Sequence, residues 1–469
     1  MSETHNARSL AFYGGTPGAL VPFALFLGGV AWLAFAGAPN EKGFWPVLLA
    51  ALALGLLLAR DRTAYAETVI DGMSRRIVML MVMAWLLAGV LGALMNASSF
   101  VDSLVWIASR GGVSGRWFVA AAFLVCCAVS TSTGTSFGTI LLAAPLLYPA
   151  GGALGASPPV LIGAILGGAT FGDNISPVSD TTIASATSQG ADVGGVVRSR
   201  MKYALPAAGI ALVLYVVLGD TYPTQAFAAG SVSLTSGPKG LLMLVAPTIT
   251  ITALLASRHL LEGLIYGVLA AVGIGLAFGL FQPVDILAID PATFSAHGLI
   301  IEGMERGVGI SIFTILLMGL VGGLEATGVL DGVVHWASTR ATTARGAELW
   351  IFTAVSAAVV LTTHSVVAIL TAGKFTRDVG ETYGISAYRR ANLLDITVCT
   401  YPFLFPFFIP TILAASTTTS GADFGMPPVS PLATGLHNFH SWALLAVVVV
   451  AVVTGWGGQR AVGQGGKRR

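Results

Sequence analysis

Charge is scarce in this 469-residue chain. Only 10% of its residues are Asp, Glu, Lys or Arg, against about 25% in an ordinary soluble protein. Another 55% are apolar, and the mean hydropathy is +0.82. A chain with so little polar surface cannot stay folded in water, so the soluble classes are excluded. The net charge of +2 is spread over many short loops and gives no sign of a nucleic-acid partner. Cysteine is scarcer still. Cys126, Cys127 and Cys399 sit inside apolar segments without metal-ligand spacing, as packing residues do.

What is abundant is apolar sequence in stretches near the length that spans a bilayer. Ala19–Gly37, Gly43–Ala59, Ile77–Met95, Tyr203–Gly219, Gly240–Ala256, Leu260–Phe281, Gly307–Leu324 and His440–Gly455 all qualify. The first has no small-residue cleavage site after it and is read as retained. The fold class is an all-α polytopic membrane protein.

The chain repeats itself at an offset of about 230 residues. Asp71-Gly72-Met73 precedes an apolar span, the Gly-rich run GVLGALMNASSFVD, and WIASR at Trp106–Arg110. Glu302-Gly303-Met304 precedes a span, GLVGGLEATGVLD, and WASTR at Trp336–Arg340. After each comes an apolar segment interrupted by small polar residues. Phe118–Tyr148 is broken by STSTGTS at Ser130–Ser136, and Trp350–Ala372 by TTHS at Thr362–Ser365. Both suit re-entrant hairpins with polar tips, because irregular backbone at membrane depth must be buried in protein or line water.

Charge distribution tests that topology. With two hairpins and a cytoplasmic N-terminus, all of the 24 Lys and Arg residues except Lys42, Arg110, Arg116, Lys239 and Arg306 fall on the cytoplasmic side. The acidic loop of Asp285, Asp290, Glu302 and Glu305 falls outside. So lopsided a split predicts ten spans plus two hairpins, with both termini cytoplasmic. Each half then holds five transmembrane helices, and an odd number inverts the second half against the first. The expected architecture is two inverted repeats, residues 1–220 and 238–456, each with a re-entrant hairpin and a broken helix, followed by a basic cytoplasmic tail at 457–469.

The chemistry concentrates in GGATFGDNISPVSDTTIASATSQ at Gly167–Gln189, which contains no Lys or Arg. Pro177 cannot donate a helical hydrogen bond and disfavours helix at Ser176. The helix should open there, freeing carbonyls beside Asp173 and Asp180. A hard cation such as sodium takes carboxylate, hydroxyl and carbonyl oxygens, and Asn174, Ser176, Thr181 and Thr182 complete that set. An exposed loop is the bland alternative. Against it, acids inside a membrane segment are costly and usually functional. Protons and sodium can compete for one site, with Asp173 and Asp180 as the competing groups, and a protein that changes access only when the site is filled exchanges one for the other.

The string FGDNISPVSDTTIAS resembles the signature of NhaC-type sodium/proton antiporters of the ion transporter superfamily. TGTSFGT at Thr133–Thr139 resembles that family's first-half hairpin motif and GGLEATGVL at Gly322–Leu330 its second-half counterpart. The likeness covers roughly residues 70–440. It implies inverted repeats with opposed hairpins, and ion-binding roles for Asp173, Ser176, Asp180, Thr181 and the tip hydroxyls Thr133, Thr135 and Ser136. The second half departs from the pattern. Thr363-His364-Ser365 stands where a Gly-Asp-Gln run is common, and LLDITVCTYPFLFPFFIP keeps Asp395 and its prolines without the usual Ser-Gly-Thr and Pro-Trp motifs.

Several residues carry two readings. Asp395, about 222 residues after Asp173, is its expected repeat partner in ion binding. Glu325 either caps a span near the interface or takes part in ion or proton binding. His364 is either structural or a proton relay or substrate ligand, with Thr363 beside it. Tyr401 opens an aromatic run to Phe408 that an ion site alone does not need. Gly134-Thr135-Ser136-Phe137-Gly138 fits a hydrolase elbow, but that motif needs a strand, a turn and a helix, and apolar helix flanks it here. A transporter of the inner membrane, not an enzyme, is expected. Sodium is the transported or coupling ion and no cofactor is needed. Its partners are sodium, protons and the lipid bilayer. The rival cargo is a small organic solute coupled to sodium or protons, and a homodimer is left open.

Overall fold

The computed structural model describes residues 10–36, 41–113, 115–220, 237–257, 259–292, 294–329, 332, 342–424 and 426–458. WASTR at Trp336–Arg340 and the tail from residue 459 lie outside the described residues, as do Arg8 and Arg258.

Apolar sequence becomes helix almost throughout. The first half runs α1 Gly15–Phe35, α2 Trp45–Leu58, α3 Arg62–Met73, α4 Arg76–Ala97, α5 Phe100–Arg110, α6 Gly115–Thr133, α7 Ser136–Ala153, α8 Pro158–Ile175, α9 Asp180–Gln189 and α10 Val193–Leu218. The second half opens with a 3₁₀ turn at Pro238–Leu244 and α11 Val245–Ser257, then α12 Leu260–Ala277, α13 Pro283–Ile286 and α14 Leu299–Glu325. It continues with α15 Ala344–Thr362, α16 Ser365–Thr382, α17 Ala387–Val398, α18 Ile409–Thr417, α19 Pro431–Leu436 and α20 Phe439–Thr454. A two-stranded ribbon, Ala288–Asp290 with Ser295–His297, ornaments the acidic loop.

Among the described residues, nine helices are long and apolar enough to cross a membrane. Two of them, α6 and α15, are first arms of the expected hairpins, and the last expected span is the shorter α20. Apolar length alone therefore does not separate a span from a hairpin arm. What separates them is where each chain segment turns.

The first hairpin turns at Gly134, whose φ of +69° is left-handed, a conformation glycine adopts without strain. The second turns at Thr363, a β-branched residue at φ +51°, which is a strained position. The arms return to their starting level. Gly115, at the start of α6, lies against Gly155 and Ala156 just past the end of α7. Arg116 pairs with Asp220 at 2.5 Å, and the Ser157 amide donates to Gly219 O at 2.8 Å, so this hairpin opens beside the C-terminus of α10. The second opens at the other end. Glu348 in the first turns of α15 accepts two hydrogen bonds from Arg389, at 3.0 and 2.8 Å, and Arg389 also donates to Tyr203 in the N-terminal half of α10. Arg390 joins Glu381 near the end of α16 to Gln189 at the end of α9.

Close backbone approach holds the two halves together. Gly72 of α3 lies against Met318 and Gly322 of α14, and Gly303 of α14 lies against Gly89 and Val90 of α4. Small residues at such crossings let helices meet without side-chain bulk between them. Asp192 caps α10 through the Gly195 amide at 2.6 Å and accepts from the Tyr388 hydroxyl at 2.5 Å. Those two donors, the tyrosine first, hold its carboxyl below the usual carboxylate range.

Candidate functional site

Both hairpin tips meet the helix breaks. Helix α8 ends at Ile175, Ser176 and Ser179 are extended, and α9 begins at Asp180. This is the interruption that Pro177 demands. A side chain at Gly134 would press on Val178 and on the Ser179 backbone, so the first tip is seated directly on the break. The second tip is seated on the end of α17, where the Ser365 hydroxyl donates to Val398 O at 2.8 Å. Past α17 the chain runs irregularly through Tyr401–Phe408 before α18, a second break matching the first.

Asp173 stands where these parts converge. Ser136, in the first turn of α7, donates to Oδ2 at 2.8 Å, and Ser179, across the break, donates to Oδ1 at 3.0 Å. Ser179 also shares a hydrogen bond with Thr181 at 3.1 Å. Charge-assisted bonds of this kind favour the ionised carboxylate, offsetting part of the cost of burying it. Asp173 lines a cavity of about 800 Å³ that also receives Thr133, Thr135, Ser136, Asp180, Thr181, Thr363 and His364. Asp180 is exposed to that cavity at the first residue of α9. Arg76 and His259 also line it.

The other expected residues are engaged locally, Thr133 and Thr135 while also lining the cavity. Thr133 donates to its own helix at Val129 O (2.9 Å), and Thr135 caps α7 by accepting from Gly138 N (3.2 Å). Ser176 is buried and accepts from Val178 N at 3.3 Å, inside its own loop. Asn174 is buried and donates to Thr170 O at 3.0 Å, while its Oδ1 has no partner among the described residues. Glu325 forms an ion pair with Arg75 at 2.5 Å and does not line the cavity. Tyr401 accepts from Ser356 at 3.1 Å and stacks on Phe405, also outside the cavity lining. The Ser136 hydroxyl sits at a helix N-terminus facing a carboxylate, which is no hydrolase elbow.

Two residues of this site escaped the sequence reading. Ser179 lies six positions past Asp173, and only the turn at Pro177 brings them together. Arg200 was counted among the cytoplasmic charges. In the structure its side chain is wholly buried, ion-paired with Asp395, which is equally buried. Its Nη1 donates to Asn174 O at 2.5 Å and to Thr182 Oγ1 at 3.0 Å, and its Nε to Asn392 Oδ1 at 3.1 Å. The opened α8 carbonyl expected to face a cation is therefore taken by a guanidinium. Arg389 and Arg390, counted with it, are buried and paired as well. The signal was position: Arg200 follows Asp180 by twenty residues, one helix turning back along another. Among the described residues there is no cluster of three or more His, Cys, Asp or Glu that would hold a metal.

Residues 21–219, the half that carries Asp173 and its partners, match the Na+/H+ antiporter family. The NhaC-type resemblance of the FGDNISPVSDTTIAS half is borne out. A Malate-2H(+)/Na(+)-lactate antiporter of Bacillus subtilis (strain 168) is 26% identical over 67% of this chain and 70% of its own. The Na(+)/H(+) antiporter NhaC of Alkalihalophilus pseudofirmus is 27% identical over 64% of this chain and 67% of its own. The arginine/ornithine antiporter ArcD of Halobacterium salinarum is 25% identical over 72% and 71%. Among solved structures, the YdaH transporter of Alcanivorax borkumensis covers 86% of this chain and 91% of its own. That match is 14% identical with a TM-score of 0.40.

Proposed function

We propose that this protein is a secondary antiporter of the inner membrane that exchanges sodium for protons by alternating access, with Asp173 as the carboxylate for which the two compete. One observation carries the reading: Asp173 is held by Ser136 and Ser179 between a hairpin tip and a helix break, on the wall of a large cavity. A carboxylate so placed keeps oxygen ligands around it whether it holds a proton or a cation. Asp180, Thr181 and Thr135 supply further oxygens along the same wall. Thr182 and Asp395 stand behind it as supporting groups, and Asn174 and Ser176 shape the break.

Two inverted repeats, residues 1–220 and 238–456, are the architecture that serves this cycle. The reciprocal contacts support it, since Gly72 meets the span of the second half and its counterpart Gly303 meets the span of the first. Such reciprocity is what a two-fold relation between repeats produces. The hairpins opening at opposite ends of α10 support it too, because inverted repeats oppose their re-entrant parts. Arg76 and His259 adjoin segments rich in cytoplasmic-type charge, so the cavity is read as open to the cytoplasm, with both termini on that side.

The cavity favours a second reading. About 800 Å³ is far more than a sodium ion requires, and Thr363 and His364 of the divergent half line it together with the acids. The relatives include antiporters named for malate, lactate, arginine and ornithine. A sodium- or proton-coupled carrier of a small organic solute fits the same geometry.

Proton flux in proteoliposomes decides between them. Addition of sodium alone is expected to move protons. Flux that appears only when an organic solute is also present would replace the exchanger with the solute carrier.

A further inference from the structure

The two halves treat their carboxylates differently. Asp173 lines the cavity and accepts from two serine hydroxyls, whereas Asp395, about 222 residues later, is wholly buried and does not line it. The Arg200 and Asp395 side chains are both 0% exposed. A guanidinium at this depth is costly unless its charge and donors are matched. Here they are: Asp395 takes the charge, and Asn174 O, Thr182 Oγ1 and Asn392 Oδ1 take hydrogen bonds. With Ser185 Oγ, 3.5 Å from Nη2, that partner set is one carboxylate, one opened-helix carbonyl, one side-chain amide oxygen and two hydroxyls. It is the oxygen set a monovalent cation would use.

We propose that Arg200 is a built-in counter-ion that fills the second-half cation place, so that the two helix breaks together take one transported cation and not two. Arg200 and Asp395, both wholly buried, neutralise each other, so of the two break carboxylates about 222 residues apart only Asp173 is left to a cation, with Asp180 exposed on the same cavity wall. Thr182 links the halves of this arrangement, standing 3.5 Å from Asp173 O and 3.5 Å from Asp395 Oδ2. Arg200 thus determines how many ions are carried without touching the cavity. The inference rests on the exchanger reading of Asp173.

The test counts ions. The thermal stability of purified protein in detergent rises with the logarithm of sodium concentration, with a slope set by the number of ions bound. Sodium-dependent flux gives a Hill coefficient as an independent count. Wild type is expected to bind one ion. Arg200→Gln leaves Asp395 without a cation, and its stability slope should rise about twofold. The double variant Arg200→Gln with Asp395→Asn removes both charges and should return the slope to the wild-type value. An Arg200→Gln protein that folds with an unchanged slope overturns the proposal. So does a folded double variant that has lost its sodium response, since that is the mark of a structural strap. If Arg200→Gln does not fold, the double variant decides alone: a wild-type slope supports the counter-ion. A wild type with no sodium response sinks the exchanger reading itself, recognisable because every variant is then equally silent.

Discussion

At the scale of single residues, the site is a contest between exposure and pairing. Asp173 and Asp180 stand seven positions apart, yet one is gripped by two serine hydroxyls and the other faces the cavity at a helix start. Replacing Asp173 by Asn removes the charge and keeps the volume. Expression and folding should survive while exchange is abolished in proteoliposomes. Near-normal flux would remove Asp173 from the mechanism. For Asp180→Asn the expected loss is smaller, a weaker apparent sodium affinity with exchange retained, because no hydroxyl pair organises that carboxyl. Equal abolition by both would make the two acids one site. The place of Asp173 beside a helix break was legible in the sequence, since Pro177 follows it closely and an acid in an apolar segment without Lys or Arg needs a reason to be there. The burial of Arg200 was not. A basic residue flanking an apolar stretch reads as an interfacial anchor, and only the neighbours supplied by α8 and α17 reveal that it points inward.

Elements are positioned here by their interruptions more than by their lengths. Pro177 opens α8 at the predicted place, and the polar strings at Ser130–Ser136 and Thr362–Ser365 become turns at Gly134 and Thr363. Proline and glycine act locally, so these breaks could be read before any packing was known. Gly134 makes the point testable. Its φ of +69° is costly for an L-residue, by about 1–2 kcal/mol, and an added Cβ would lie 2.7 Å from Val178 Cγ2 and 2.9 Å from Ser179 N. Gly134→Ala should therefore lower thermal stability and lift Ser136 away from Asp173, with exchange lost. Wild-type melting and flux in that variant would show that the tip is not seated on the break. Which arm of each hairpin passes for a span could not be read, because α6 and α15 have the length and apolarity of spans.

For the whole molecule, the proposed inverted arrangement predicts an accessibility pattern. Cysteines at Gly111 and Leu154, at the two ends of the first hairpin, should label from the same side of the membrane. Cysteines at Ala344 and Thr382, flanking the second, should both label from the opposite side. Split labelling within either pair would turn a hairpin into a span. The exchange cycle predicts a pH dependence in flux. Under the proposed competition of protons and sodium for one carboxylate, apparent sodium affinity should weaken as pH falls, approaching tenfold per pH unit, or about 1.4 kcal/mol, once the protonated form dominates. Sodium affinity independent of pH would separate the proton site from the sodium site.

The chain's own order of residues determined the membrane class, the helix breaks and the chemistry of the ion-site string. Each of these depends on composition or on neighbours a few positions away. Tertiary structure alone decided which carboxylate meets the cavity and which is neutralised from within, because that choice depends on contacts between residues roughly 190–220 positions apart, such as Thr182 with Asp395 and Arg200 with Asn392. The same long-range packing seats both hairpin tips on the breaks, where low dielectric makes every unmatched charge costly and leaves few arrangements that satisfy them all.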